Sequence, residues 1–143
     1  MPKPHHTWLA ALLLALAAIA TPVLAGDKID VVYHVDDEDK VAFTLGNIQN
    51  HIDGAGGPDQ VNIVLVANGP AVKRFVEIDA VDRTRKGVAH LQEQGVKFEA
   101  CANTLKALNV EPDELLPGFG IAEKGGVTRI AELQSQGYVY IRP

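Results

Sequence analysis

Runs of β-branched and apolar residues alternate with segments of helical periodicity, and this alternation constrains the fold more than any other feature of the chain. The clearest run, residues 60–67 (QVNIVLVA), is apolar enough for a strand buried on both faces. The other predicted strands are residues 28–34, 96–100, 118–122 and 138–141. Strands that alternate with helices form βαβ units. The sequence therefore predicts an α/β fold: a three-layer sandwich with a mainly parallel five-stranded sheet and helices on both faces.

The segments between these strands carry the helical signals. The spacing of Val41, Leu45, Ile48 and Ile52 places all four on one face of an amphipathic helix. Asn103 is of a residue type that caps helices, so we predict that it caps the helix after the third strand. The remaining predicted helical segments are residues 71–76, 81–94, 104–108, 111–115 and 127–136.

An uncharged apolar run, residues 8–20, lies near the start of the chain. It is about as long as a signal-peptide core and shorter than the ~20 apolar residues of a membrane span. Small side chains then lead to Ala25, after which we predict cleavage. Residues 1–25 are thus a predicted signal peptide and residues 26–143 a single domain, periplasmic or secreted, with no stable membrane anchor after cleavage. The alternative is an uncleaved N-terminal anchor.

Charge and cysteine content limit the classes of partner. The chain has 13 Lys and Arg against 18 Asp and Glu, a net charge of −5 at pH 7. A mildly acidic surface argues against nucleic acid and against anionic membranes as partners. Cys101 is the only cysteine, so an internal disulfide is excluded. Its thiol is therefore buried and inert, paired with another chain, or reactive.

The predicted strand ends bring candidate functional residues together. In open α/β sheets, ligands gather outside the carboxyl ends of the strands, which we expect here to carry His34, Asn68, Cys101 and Phe119. Cys101 also precedes a predicted helix, whose N-terminal N–H groups favour an anion. A thiol in that position has a lowered pKa and a raised reactivity. The alternative is a small buried hydrophobic residue, a common fate of free cysteine.

Other kinds of site have weaker signals. His34 is followed by four acidic residues, 36–39, and imidazole with carboxylates can bind metal. Acidic residues also collect at helix starts, so we predict no metal site. The chain has no Gly-x-Ser-x-Gly elbow and no Cys-x-x-Cys pair. Their absence argues against a serine hydrolase and against a thioredoxin-type dithiol exchanger.

The stretch around the cysteine, "KFEACANTLKAL", resembles the DsrE/DsrF-like family of small α/β sulfur-relay proteins. In its persulfide-carrying members, a strand ends at the cysteine and runs into a short helix. The order of "VVYHVDD", "VNIVLVANGP" and "LQEQGVKF" before it is similar too. The closing "GVTRIAELQSQGYVYIRP" looks like the end of the exported DsrE-like branch. The resemblance covers about residues 28–143 and is carried by the ordered set rather than by one motif.

The resemblance implies that Cys101 accepts a sulfane sulfur as a persulfide and hands it to another protein. It implies a homo-oligomer, a sulfur donor or acceptor protein as partner, no cofactor, and at most a sulfurtransferase-like persulfide carrier. From topology alone, His34 and Asn68 are candidate hydrogen-bond donors to a sulfur anion. The competing hypothesis is a non-catalytic small-molecule or protein-binding module with an inert buried Cys101, which would bind near His34, Asn68 and Phe119.

Overall fold

The computed structural model describes residues 28–143 and the first residue of the chain; the rest of the predicted signal peptide and its cleavage site lie outside the described residues. This part forms β1 (Ile29–Val35), α1 (Val41–Ala55), β2 (Val61–Ala67), α2 (Asp82–Glu93), β3 (Lys97–Cys101), α3 (Ala102–Leu108), β4 (Phe119–Ala122), α4 (Gly126–Ser135) and β5 (Val139–Ile141). Short 3₁₀ helices cover Glu38–Lys40, Pro58–Gln60, Gly69–Phe75 and Pro112–Glu114. None of the described helices is long and apolar enough to span a bilayer.

The five strands form one sheet in the order β4-β3-β2-β1-β5, and every pair is parallel. β1 lies between β2 and β5: Val32 pairs with Val64 on one side and with Tyr140 on the other. The chain therefore adds β2, β3 and β4 on one side of β1 and returns to its other side for β5. The predicted α/β class is confirmed, and the sheet is entirely parallel.

Each face of the sheet packs against helices. The larger core lies on one face and contains Leu65 of β2, Ile48 of α1 and Leu91 of α2. The smaller core lies on the other face, between β1, β2 and α4: Val32, Val64, Val66, Ile130 and Leu133. Because successive strand residues point to opposite faces, the central strands are buried on both sides. This is the predicted three-layer sandwich.

The amphipathic helix predicted from residue 41 onward is confirmed as α1. All four residues of its predicted apolar face, Val41, Leu45, Ile48 and Ile52, are buried. The helix ends at Gly56, whose φ of 96° is left-handed and whose N–H reaches back to the last turn. Glycine adopts this conformation without a Cβ clash, so it ends the helix at little cost.

Two expectations from the sequence are wrong. Asn103 does not cap α3: the strand passes directly into the helix, so that Cys101 is the N-cap and Ala102 the first helical residue. Phe119 does not lie at the carboxyl ends of the strands. It begins β4 and packs against Phe75 and Phe98 with ring centroids 5.0 and 5.4 Å apart.

The aromatic cluster gives a test of the larger core. Phe98 is 1% exposed, so Phe98→Ala should leave a cavity and lower the free energy of unfolding by about 3–5 kcal/mol. Urea denaturation measures this difference. Ile78→Ala is the control: Ile78 is 87% exposed, and its truncation should change stability by less than about 0.5 kcal/mol. Equal losses in both variants would contradict this packing.

Candidate functional site

Three strand ends place His34, Asn68 and Cys101 at one edge of the sheet and on one face. Ala67 of β2 pairs with Ala100 of β3, so the next residues, Asn68 and Cys101, lie side by side. His34 is the penultimate residue of β1, and Asn68 continues β2 in an extended conformation. Because side chains alternate along a strand, all three point to the face that α4 covers. We call this place the carboxyl edge.

The first turn of α4 lies directly against the carboxyl edge. A Cβ on Gly126 would be 3.2 Å from the Cβ of Cys101 and 3.3 Å from the Cβ of Asn68. Glycine therefore lets the helix approach the sheet more closely than a residue with a side chain. The preceding Gly125 has a φ of 93°, a conformation that L side chains rarely adopt. This pair of glycines brings a backbone N–H of the helix start to the thiol.

Four N–H and O–H groups near the thiol of Cys101 lower its pKa. They are the hydroxyl of Thr104 and the backbone N–H groups of Asn103, Thr104 and Gly126. The Thr104 hydroxyl is itself oriented, because its oxygen accepts the N–H of Gly69 at 3.0 Å. Its hydrogen is thereby left for the sulfur.

Burial and hydrogen bonding act on the thiol in opposite directions. Cys101 is 5% exposed, and burial raises the pKa of its thiol because the thiolate loses solvent. The donors from Thr104, Gly126 and Asn103 stabilise the thiolate and lower the pKa. Together the donors prevail, so the pKa of Cys101 is below that of an ordinary thiol. The site favours the nucleophilic form of sulfur.

His34 joins the carboxyl edge to β5. Its Nε2 lies 2.9 Å from the Oδ1 of Asn68, and its Nδ1 lies 2.7 Å from the hydroxyl of Tyr140. An amide oxygen only accepts, so Nε2 carries a hydrogen and donates it; the Nδ1 of the neutral ring then accepts from Tyr140. A cavity of about 300 Å³ opens beside His34, where the chain order reverses between β1 and β5.

The acidic residues after β1 have other partners than His34. Asp36 accepts two hydrogen bonds from Arg142, at 2.7 and 2.8 Å. Asp37 caps a 3₁₀ helix by accepting the N–H of Asp39 at 2.9 Å. Within the part of the chain that the structure describes, no three His, Cys, Asp or Glu side chains are arranged to hold a metal ion.

A partly buried ion pair holds α4 on β3. Arg129 donates Nε to Oε2 of Glu99 at 2.6 Å and a second guanidinium N–H to Oε1 at 2.8 Å. The Glu99 side chain is 15% exposed, and this hydrogen bonding raises the pKa of Arg129. Glu99 precedes Cys101 by two residues and points to the same face. The pair therefore fixes α4 one turn beyond its contact with the thiol.

A profile of the DsrE/DsrF-like family matches residues 8–143. The chain belongs to the DsrE/DsrF-like family. Among solved structures, this DsrE/DsrF-like chain is similar to the MTH1491 protein of Methanobacterium thermoautotrophicum, described as a protein of unknown function. The two are 33% identical with a TM-score of 0.72, over 81% of this chain and 100% of that one. Membership of the exported branch stays a prediction.

Two more distant structures share the fold. The ychN protein from E. coli is 13% identical with a TM-score of 0.63, over 81% of this chain and 98% of its own. The protein BT1422 from Bacteroides thetaiotaomicron is 16% identical with a TM-score of 0.59, over 86% and 100%. No curated protein is a match for the chain.

The structure of this DsrE/DsrF-like chain brings together three of the four residues that the sequence places at the carboxyl edge, and their roles stay predictions. Sequence reasoning missed Thr104, Gly126 and Tyr140. Two signals were available: a hydroxyl three residues after the cysteine, in the first turn of the following helix, and a Gly-Gly pair between a predicted strand and a predicted helix. Tyr140 gave no signal, because its contact with His34 depends on β5 lying beside β1.

The close contact between Gly126 and Cys101 can be tested by adding a methyl group at position 126. Gly126→Ala should push α4 away from Cys101, weaken the hydrogen bond from the N–H of residue 126 and raise the pKa of the thiol. We expect iodoacetamide alkylation at neutral pH to slow by about three- to ten-fold. The pH profile of the alkylation rate measures this shift.

The matched control is another helical glycine. Gly46 of α1 has nothing within 4 Å of a built Cβ, so Gly46→Ala should leave the alkylation profile unchanged. It should also stabilise the protein by about 0.5–1 kcal/mol. The same slowing in both variants would show that α4 does not act on the thiol.

The Thr104 hydroxyl has an independent test. Thr104→Val removes this donor while keeping the shape of the side chain, and it should raise the pKa of Cys101 and slow alkylation at neutral pH by about ten-fold. Thr104→Ser keeps the hydroxyl and should alkylate at a rate close to that of the wild type. If both variants behave like the wild type, the hydroxyl does not stabilise the thiolate.

Proposed function

We propose that this chain is a persulfide carrier in which Cys101 accepts a sulfane sulfur and hands it to an acceptor thiol. The observation that carries the proposal is the place of the thiol, against the first turn of α4 at Gly126 and at the start of α3, where the Thr104 hydroxyl and three backbone N–H groups lower its pKa. A neutral thiol is only a weak acceptor and packs as a small hydrophobic group, so a structural cysteine needs no such donors. Four donors suit a sulfur that carries negative charge.

The transfer balances without a cofactor. The Cys101 thiolate attacks the outer sulfur of a donor persulfide, R–S–SH, and a new S–S bond forms at Cys101. The S–S bond of the donor breaks, and R–S⁻ leaves with the electron pair, while the proton stays on the transferred sulfur or passes to R–S⁻. No external oxidant or reductant is consumed. Delivery is the same exchange in reverse, with an acceptor thiolate as the attacking group, and it follows the logic of thiol–disulfide exchange.

The single cysteine suits a carrier. No second thiol exists in the chain, so no cysteine of the same molecule can displace the bound sulfur and close an internal disulfide. The persulfide then waits for a thiol of another molecule. Membership of the DsrE/DsrF-like family, which is generally related to sulfur relay, supports this reading.

The second candidate is a binding module with an inert Cys101. Its support is the burial of the residue, which leaves 5% of its surface exposed. The two functions differ in one property, the reactivity of the thiol in the folded protein. Burial alone predicts a thiol that reacts only after unfolding, whereas the hydrogen-bond donors predict one that reacts in the native state.

Treatment with inorganic polysulfide, followed by iodoacetamide and intact mass spectrometry, separates these functions. We expect the wild type to gain the mass of sulfur at Cys101 and to be alkylated at a pH below the ordinary thiol pKa of about 8.5. Cys101→Ser should gain neither, since it keeps the size of the side chain but has no thiol. A wild-type thiol that resists both reagents until urea unfolds the protein would establish the binding module instead.

Export with cleavage after Ala25 and association into a homo-oligomer are proposals that rest on the sequence and on the family resemblance. An exported lone thiol is at risk of mixed disulfides and over-oxidation. The 5% exposure of Cys101 limits the contact of solvent oxidants with its sulfur. Burial of the thiol is therefore compatible with a carrier in an oxidising compartment.

A further inference from the structure

A chain of hydrogen bonds runs across the carboxyl edge and ends beside the thiol. It begins at the hydroxyl of Tyr140 on β5, passes through the imidazole of His34 on β1, and reaches the Oδ1 of Asn68 after β2. Cys101 on β3 is the next residue in this direction, because the sheet order is β3-β2-β1-β5. Tyr140, His34 and Asn68 thus form a hydrogen-bonded row, with one side chain from each of three adjacent strands, that ends next to Cys101.

The row fixes the orientation of the Asn68 amide. Its Oδ1 accepts from His34, which lies on the β1 side. The amide is planar, with oxygen and nitrogen on opposite sides of its axis, so Nδ2 faces away from His34. Within residues 28–143, Nδ2 has no protein hydrogen-bond partner of its own. Cys101 lies on the side of Asn68 opposite to His34, because β2 lies between β1 and β3.

A persulfide on Cys101 needs hydrogen-bond donors at its outer sulfur as well as at Sγ. Its outer sulfur extends about 2.05 Å beyond Sγ, the length of an S–S bond, and carries the negative charge. Thr104, Asn103 and Gly126 already direct their donors at Sγ itself. The Cβ of Asn68 and the Cβ of Cys101 both pack against Gly126: a Cβ added to this glycine would lie 3.3 Å from the first and 3.2 Å from the second. The side chains of Asn68 and Cys101 are thus neighbours at the first turn of α4.

We propose that Tyr140 and His34 position the Asn68 amide to donate a hydrogen bond to the outer sulfur of a persulfide on Cys101. Asn68 is then the residue that contacts the transferred atom, and His34 and Tyr140 are positioning residues. The Nε2–H of His34 is engaged by Asn68 and does not reach the sulfur. This inference rests on the proposed persulfide function and adds a residue that recognises the cargo rather than the thiol.

The hydrogen bonds of the row contribute little to the stability of the fold. Tyr140 is 39% exposed, and neither His34 nor Asn68 is fully buried. Exposed hydrogen bonds contribute little net stability, since water satisfies the same groups when the protein is unfolded. An aligned row of this kind is instead suited to holding one amide in one orientation.

The test measures the equilibrium of sulfane sulfur between the protein and glutathione. Purified protein is equilibrated with glutathione persulfide and glutathione, and intact mass gives the persulfidated fraction of Cys101. Asn68→Ala should lower the equilibrium constant for persulfide formation by roughly 10- to 100-fold, the effect of one hydrogen bond to a charged group. His34→Ala should lower it by a smaller factor, and Tyr140→Phe by the least.

Three comparisons separate positioning from general damage. Alkylation of the unmodified thiol is measured in all three variants, and the persulfide equilibrium constant should fall by a larger factor than the alkylation rate in each, because the groups that lower the pKa of the thiol lie on other residues. His34→Gln retains an N–H donor near Nε2 and should restore most of the wild-type equilibrium. Tyr138→Phe is the matched control: its hydroxyl contacts Asn62 far from the thiol, so its loss should have no effect.

A double-mutant cycle tests whether His34 acts through Asn68. If it does, the variant with both alanine substitutions should have the same equilibrium constant as Asn68→Ala alone. Additive losses would overturn the positioning role of His34. An unchanged equilibrium in Asn68→Ala, with persulfide forming normally on the wild type, would overturn the whole inference while leaving the carrier function standing. A wild type that forms no persulfide would overturn both.

Discussion

The close approach of α4 to the sheet is the contact on which the site depends. A side chain at Gly126 would meet the Cβ atoms of Cys101 and Asn68 at 3.2 and 3.3 Å, closer than side chains ordinarily pack. One turn later, the ion pair between Arg129 and Glu99 holds the same helix on β3. The absence of a side chain at Gly126 and the ion pair between Arg129 and Glu99 together hold α4 close to the sheet. They place the backbone N–H of Gly126 next to the sulfur of Cys101.

The parallel sheet brings residues that are far apart in sequence close together in space. The hydrogen-bonded row contains one residue from each of three adjacent strand ends, Tyr140, His34 and Asn68, and Cys101 lies beside it at a fourth. Parallel strands place all of these ends at one edge, and the two-residue repeat of a strand places the side chains on one face. A slip of one residue in β3 would turn the thiol into the larger core and remove it from α4. The position of the thiol beside α4 therefore depends on the register of β3 in the sheet.

Local patterns predict most of the fold and half of the site. The apolar face of α1 and the buried run of β2 follow from spacing and composition, and the thiol follows from its place at a strand end. The Asn103 cap failed because the strand passes into α3 without a turn, which residue types do not reveal. Tyr140 and the orientation of the Thr104 hydroxyl by Gly69 depend on which segments become neighbours. Such contacts exist only once the sheet order is known.

In the proposed carrier, the inner and outer sulfur atoms of the persulfide have different surroundings. The inner sulfur of Cys101 is 5% exposed, and its donors come from the backbone and from Thr104, so it is held in place and shielded. A transferred sulfur would extend from this held atom toward Asn68 and the partly exposed side chains of the row. In this proposal, the stability of the thiolate depends on α4 and the first turn of α3, and the stability of the persulfide depends on Asn68 at the end of β2. Two separate sets of donors would then allow the affinity for sulfane sulfur to change while the pKa of the receiving thiol stays the same.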